Sequence, residues 1–196
     1  MTSKQIERIQ NRIAAVKRQL AAEKRKFGGY DDSRGARYLP TRYFIQLGDY
    51  AGGLRYIKRF NRNFPDDGGF PEFLFECTII LFKTDRLKKA TAMAWETFRS
   101  NTYWFDHFFS RVITPVDKWE GSNTSRAEYT ECLEYSSRQP ELEDFSQWLA
   151  AFTSSENFVL CGMKFIEIQK RLKTTSGRDE RLDLIRQEGR LGDYFK

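Results

Sequence analysis

The sequence predicts an all-α fold, and three observations carry the prediction. Apolar residues recur at steps of three and four along most of the chain, no stretch alternates apolar and polar residues, and glycine, proline and capping residues fall between the periodic runs. With 196 residues, 40% hydrophobic and 15% aromatic, the chain can bury one substantial core. The expected architecture is a set of stacked helical hairpins over residues 30–196, preceded by a basic amphipathic helix over 1–29 and completed by C-terminal capping helices.

Taken in order, Thr2 and Gln5 have capping-box spacing, and Ile6, Ile9, Ile13, Val16, Leu20 and Phe27 follow as a heptad-like seam. A helix of about 23 residues is expected there, ended by Gly28 and Gly29. After the polar connection "YDDSRGARYLP", Pro40 supplies a first-turn residue for a helix through Tyr43, Phe44 and Leu47. Gly48-Asp49 makes a turn, and Tyr50, Leu54, Ile57 and Phe60 mark the next helix, stopped by "NFPDDGG". Pro71 opens a helix to Phe82, "KTDR" breaks it, and Leu87 to Phe98 form another. The aromatic run "NTYWFDHFF" has apolar residues on every side and should be buried. Further helices are expected near 125–138 and 154–173, from the capping-box pairs Ser125/Glu128 and Thr153/Glu156. Pro140 begins another over 140–152, and an amphipathic piece runs from Arg178 to Leu191.

One helix carries two adjacent glycines, Gly52 and Gly53. Glycine costs about 1 kcal/mol against alanine inside a helix, so something must approach that backbone closely. The segment "LGDYAGGLRYIKRF" at 47–60 also aligns with "TDRLKKATAMAWETF" at 84–98, an offset of 37 residues. A period of that size marks stacked helical hairpins.

Gly48, Tyr50, Gly53, Ile57, Phe60 and Pro65 resemble the second-helix pattern of the tetratricopeptide repeats. A first unit over about 34–67 and a weaker second over about 71–104 follow from that likeness. Arg37, Pro40 and Thr41 stand where the family has its first-helix Trp and Leu-Gly, so a tetratricopeptide-like domain with its own C-terminal cap is expected. The resemblance assigns Gly53 to the small position where the two helices of a hairpin cross; Gly52 has no such role. It also implies a groove lined by the first helix of each hairpin, holding a peptide or partner protein at Tyr38, Arg42, Ile45 and Gln46 in unit one and Phe75, Ile79, Phe82 and Lys83 in unit two. An adaptor, or a bacterial antagonist of immunity type, would work in this way.

The formal charge is +6, and residues 1–27 alone hold eight basic and two acidic residues, which equals the whole excess. The first helix therefore docks its seam on the domain or on a second copy, leaving its charges solvated, or it is an arm for nucleic acid through Arg8, Arg12, Lys17, Arg18, Lys24 and Arg25. No membrane partner is expected, since the strongly apolar run "FLFECTIILF" is well short of the roughly 20 residues that span a bilayer. An N-terminus without an apolar leader and three isolated cysteines, Cys77, Cys132 and Cys161, point to a cytoplasmic protein with reduced core thiols.

His107 is the single histidine, which works against paired-histidine metal sites and is read as structural. No phosphate-binding glycine motif and no convergent acid, base and nucleophile are visible, so neither an enzyme nor a cofactor is expected. Trp119, in the polar loop "TPVDKWEGSN", either caps the core or anchors a partner.

Overall fold

Helix α1 (Ser3–Phe27) opens the computed structural model, which describes residues 1–30 and 35–196. Residues 31–34 of the expected connection, with the start of the first unit, lie outside the described residues. The anticipated capping box is formed, Gln5 N–H donating to Thr2 Oγ1 and Thr2 N–H to Gln5 Oε1 at 2.7 Å. Gly28, in the left-handed region at φ 71°, donates its N–H to Lys24 and ends the helix. Ile13, Val16 and Leu20 are buried against α2 (Leu39–Leu47) of the same chain. The seam is narrower than its sequence period suggests, because Ile6 and Phe27 are exposed.

Gly48, at φ 66°, turns the chain from α2 into α3 (Tyr50–Asn63), and the Asp49 carboxylate caps α3 by accepting from Gly52 N–H at 2.8 Å. Next come α4 (Pro71–Lys83) and α5 (Leu87–Ser100). Helix α4 packs against α2, α3 and α5, and its Phe75, Ile79 and Ile80 are fully buried. The close approach that the glycine pair demands is real but lies elsewhere than expected. A Cβ on Gly53 would sit 2.8 Å from Ile80 Cδ1, so the tight crossing is between α3 and α4, not inside the α2–α3 pair. Gly52 is buried too, and a Cβ there would meet an Asp49 carboxylate oxygen at 2.1 Å and the Phe44 ring at 2.7 Å.

The aromatic run forms α6 (Trp104–Phe108) with Trp104, Phe105 and Phe108 buried, as anticipated. Helices α7 (Glu143–Thr153), α8 (Glu156–Thr174) and α9 (Arg178–Leu191) close the chain. Ser155 caps α8, where Thr153 was the expected cap.

The helix expected over 125–138 does not form. Short 3-10 turns occupy Asn123–Ser125 and Ala127–Cys132, and Leu133 continues in extended backbone. Distant partners hold this segment: Asn101 Nδ2 donates to the Thr124 and Arg126 carbonyls, Tyr129 OH to Glu72, and Tyr135 OH to Glu76. Those bonds satisfy backbone and side chains that a regular helix would aim away from the core. Cys132 ends exposed, unlike the buried Cys77 and Cys161, which corrects its reading as a core thiol. The fold is all-α, with no strand among the described residues and no helix there long and apolar enough to cross a membrane.

Candidate functional site

The eight positions expected to line a partner groove meet mainly the chain's own later residues. Ile45, Phe75 and Ile79 are buried. The Phe75 ring packs on Phe108, Tyr135 and Phe145, and Phe82 lies between Phe145 and Trp148. Lys83 pairs with Asp144 of α7. The extended segment and α7 thus cover part of the face of α4 and reach α2 through the Arg42–Glu134 pair. Gln46 is exposed, while Tyr38 and Arg42 line a cavity of about 200 Å³ with Phe70, Glu72, Phe73 and Glu76.

Glu76 is the chemically distinctive group in that cavity, at only 2% exposure. Thr41 Oγ1 lies 2.6 Å from its Oε2, Tyr135 OH donates to Oε1 at 3.0 Å, and Arg42 Nε donates to Oε1 at 3.3 Å. Arg42 shares its guanidinium with Glu134 through Nη1 at 2.8 Å. Burial raises the carboxyl pKa to about 7 against the opposing pull of Thr41, Arg42 and Tyr135. The Thr41 hydroxyl lies within reach of two acceptors, Glu76 Oε2 at 2.6 Å and the Tyr38 carbonyl at 2.8 Å. The neighbouring groups do not make a nucleophile. The thiol of Cys132, partly covered although the residue as a whole is exposed, is pushed up to about 11 by that partial burial and then by the charge of Glu72. His107, away from this cavity, has Nδ1 3.1 Å from Thr130 Oγ1 and serves to hold the 3-10 turn. Among the described residues no group of three or more His, Cys, Asp or Glu side chains is placed to hold a metal ion.

A different surface concentrates charge. Helix α1 holds eight basic and two acidic residues, and α3 adds Arg55, Lys58, Arg59 and Arg62 with no acidic residue, leaving 21 basic and 25 acidic residues elsewhere out of 33 and 27. The α3 cations recur at helical spacing, opposite the buried Tyr56, Ile57 and Phe60, so they form one exposed stripe. Lys24 and Arg25 of α1 face Arg59 and Arg62 across a cleft of about 500 Å³, at one end of which stands Tyr30. Burial lowers the Lys17 pKa and the charges of Arg59 and Arg55 lower it further, against Asp49, so the two helices repel electrostatically. Among the described residues, none of Lys17, Lys24, Arg25, Arg55, Lys58, Arg59 and Arg62 has a carboxylate within ion-pair distance.

Of the six cations named from the sequence, the fold gathers Lys17, Lys24 and Arg25 beside α3. Arg12 instead lies over the Tyr43 ring at 5.9 Å, and Arg8 and Arg18 point to solvent. The α3 stripe was missed, although "RYIKRFNR" carries four basic residues at steps of three, one and three with no acid among them. Comparison with protein-family models, with curated proteins and with solved structures finds no match for this chain.

Proposed function

We propose that this protein is a non-enzymatic binding module that holds nucleic acid along the basic face shared by α1 and α3. The observation that supports it is the placement of two cationic stripes, without ion-pair partners among the described residues, on either side of one cleft, in a chain whose remaining residues are net acidic. Like charges one helical turn apart destabilise a helix by about 0.2–0.5 kcal/mol per pair, a cost that an anion meeting the stripe would offset. The 25 residues of α1 extend about 37 Å at 1.5 Å per residue, close to one turn of duplex. The exposed Phe27 at the end of α1 offers a ring for an unpaired base, while Tyr30 at the cleft is packed on Phe64 at 4.6 Å.

The resemblance of α2–α5 to two tetratricopeptide units supports a second reading, an adaptor for a protein partner, and exposed apolar residues favour it. Val159, Leu160 and Met163 of α8 and Leu182 and Ile185 of α9 are exposed apolar residues on adjacent helices. Fluorescence anisotropy with labelled single-stranded and duplex oligonucleotides separates the two readings. Wild type binds under the nucleic-acid reading, and R55Q/R59Q/R62Q loses at least tenfold in affinity with a melting temperature equal to or above that of wild type, since neutralising the stripe removes like-charge repulsion. Absence of binding by the folded wild-type protein removes that reading and leaves the adaptor.

A further inference from the structure

We propose that a second site, away from the basic face, binds a small sugar phosphate in the cavity walled by Trp119 where α5, α8 and α9 meet the loop before residue 123. The cavity measures about 260 Å³ and is lined by Lys118, Trp119, Arg99, Thr102, Thr124 and Gln169 among others.

Three polar groups at this cavity have unused hydrogen-bonding capacity. The Lys118 side chain is only 3% exposed, and the one carboxylate paired with its ammonium among the described residues, Glu120, stands at a long 3.7 Å. It otherwise lies over the Tyr103 ring at 4.9 Å. Buried ammonium groups are ordinarily both paired and hydrogen-bonded, because leaving water is costly for a charge. Arg99 Nε and Thr102 Oγ1 are likewise buried without a partner, while the other Arg99 nitrogens are held by Glu96 and Glu188. Both oxygens of Glu188 are occupied, by Arg99 and by Gln169 Nε2, so that acid is already matched. What the cavity lacks is acceptors, and an oxyanion with several lone pairs supplies them as charge-assisted bonds. Burial also lowers the Lys118 pKa against the pull of Glu120, and an anion at the ammonium would restore it.

The walls suit the rest of the ligand. Trp119, for which the sequence left two roles open, is tied to α8 by its backbone N–H donating to the Gln169 carbonyl at 3.0 Å. The outer edge of its ring lies against Gly121, where a Cβ would stand 2.7 Å from Cη2, Arg181 lies over the ring at 5.7 Å, and 42% of the residue remains exposed. Ser122, Thr124 and Ser125 place hydroxyls on the same rim. An indole face beside hydroxyls matches the alternating apolar faces and hydroxyls of a sugar. The volume is below the roughly 300–1,000 Å³ of ordinary ligand pockets, which favours a monosaccharide phosphate over a dinucleotide.

The test titrates full-length R55Q/R59Q/R62Q, which lacks the competing α3 cations, with ribose 5-phosphate, inorganic phosphate and ribose, reading tryptophan fluorescence and melting temperature. Ribose 5-phosphate should change the fluorescence saturably and raise the melting temperature, at least tenfold more tightly than inorganic phosphate or ribose. Trp119→Phe should abolish the fluorescence change, and Lys118→Gln should weaken binding at least tenfold. Thr102→Val, a change of nearly constant volume, gives a second reading should Lys118→Gln not fold, and should weaken binding severalfold. No response to ribose 5-phosphate, equal affinity for ribose, or unchanged affinity in the folded Lys118 or Thr102 variant overturns the proposal.

Discussion

Gly52 and Gly53 are neighbours held by different constraints. A side chain at Gly53 meets the end of a flexible isoleucine, whereas one at Gly52 meets the carboxylate that caps the helix and an aromatic ring. Gly52→Ala should therefore cost about 1–2 kcal/mol, the value of a lost N-cap, and part of that cost should vanish in an Asp49→Ala background. Gly53→Leu should force α3 from α4 at about 1–3 kcal/mol, and less with Ile80→Ala to make room. Urea denaturation reads both, and a neutral Gly52→Ala would contradict the account. Glu76 gives a pH signature. Its carboxyl pKa is about 7 in the fold against 4.5 ordinarily, so between those values the native state binds more protons than the unfolded chain. Stability should fall as pH rises through that window, by about 1–3 kcal/mol. Glu76→Gln mimics the protonated acid and should flatten the profile between pH 5 and 7.5. The glycine pair was legible as a demand for close approach, yet its partners were not, since Ile80 comes from a different helix. Nothing in the local pattern around Glu76 marks its burial beyond its place inside an apolar run.

Helix boundaries were readable wherever local chemistry decides them. Thr2, Gly28, Pro71 and Asp49 act through atoms one turn away, and the elements they bound stand close to where periodicity puts them. The stretch from 123 to 135 failed for the opposite reason. Its Ser125/Glu128 spacing is a local signal overruled by bonds to Asn101, Glu72 and Glu76, all distant in sequence. Asn101 is the anchor, 1% exposed, with Nδ2 on two carbonyls and Oδ1 accepting from Tyr103 N–H. Asn101→Ala leaves those buried groups unmatched and should cost at least about 2 kcal/mol, since each unmatched group costs about 1–3 kcal/mol. Amide exchange should quicken across 123–135 in that variant before it does in α4. An Asn101→Ala protein as stable as wild type would show that the segment is held some other way. The same long-range packing hid the covering of α2 and α4: Tyr135, Phe145 and Trp148 follow α4 by more than fifty residues.

At the scale of the molecule, charge separates. The basic excess on the first segment was plain in the sequence, but the four cations of α3 vanish from a bulk count because acidic residues elsewhere offset them. Only the packing of α1 on α2 sets the two stripes beside one cleft. Lys24, Arg25, Arg59 and Arg62 line that cleft and Lys17 and Arg55 stand near one another beyond it, so a nucleic acid lying along the whole face would contact up to six cations. Released counterions then make the logarithm of affinity fall with the logarithm of salt concentration, at a slope of about −5 for duplex and about −4 for a single strand. The most direct measurement is that slope, taken by anisotropy for wild type and for R55Q/R59Q/R62Q between 50 and 300 mM salt. A wild-type slope near those values and one roughly half as steep in the variant are expected; salt-independent binding, or equal slopes in the two proteins, would rule out binding along the basic face.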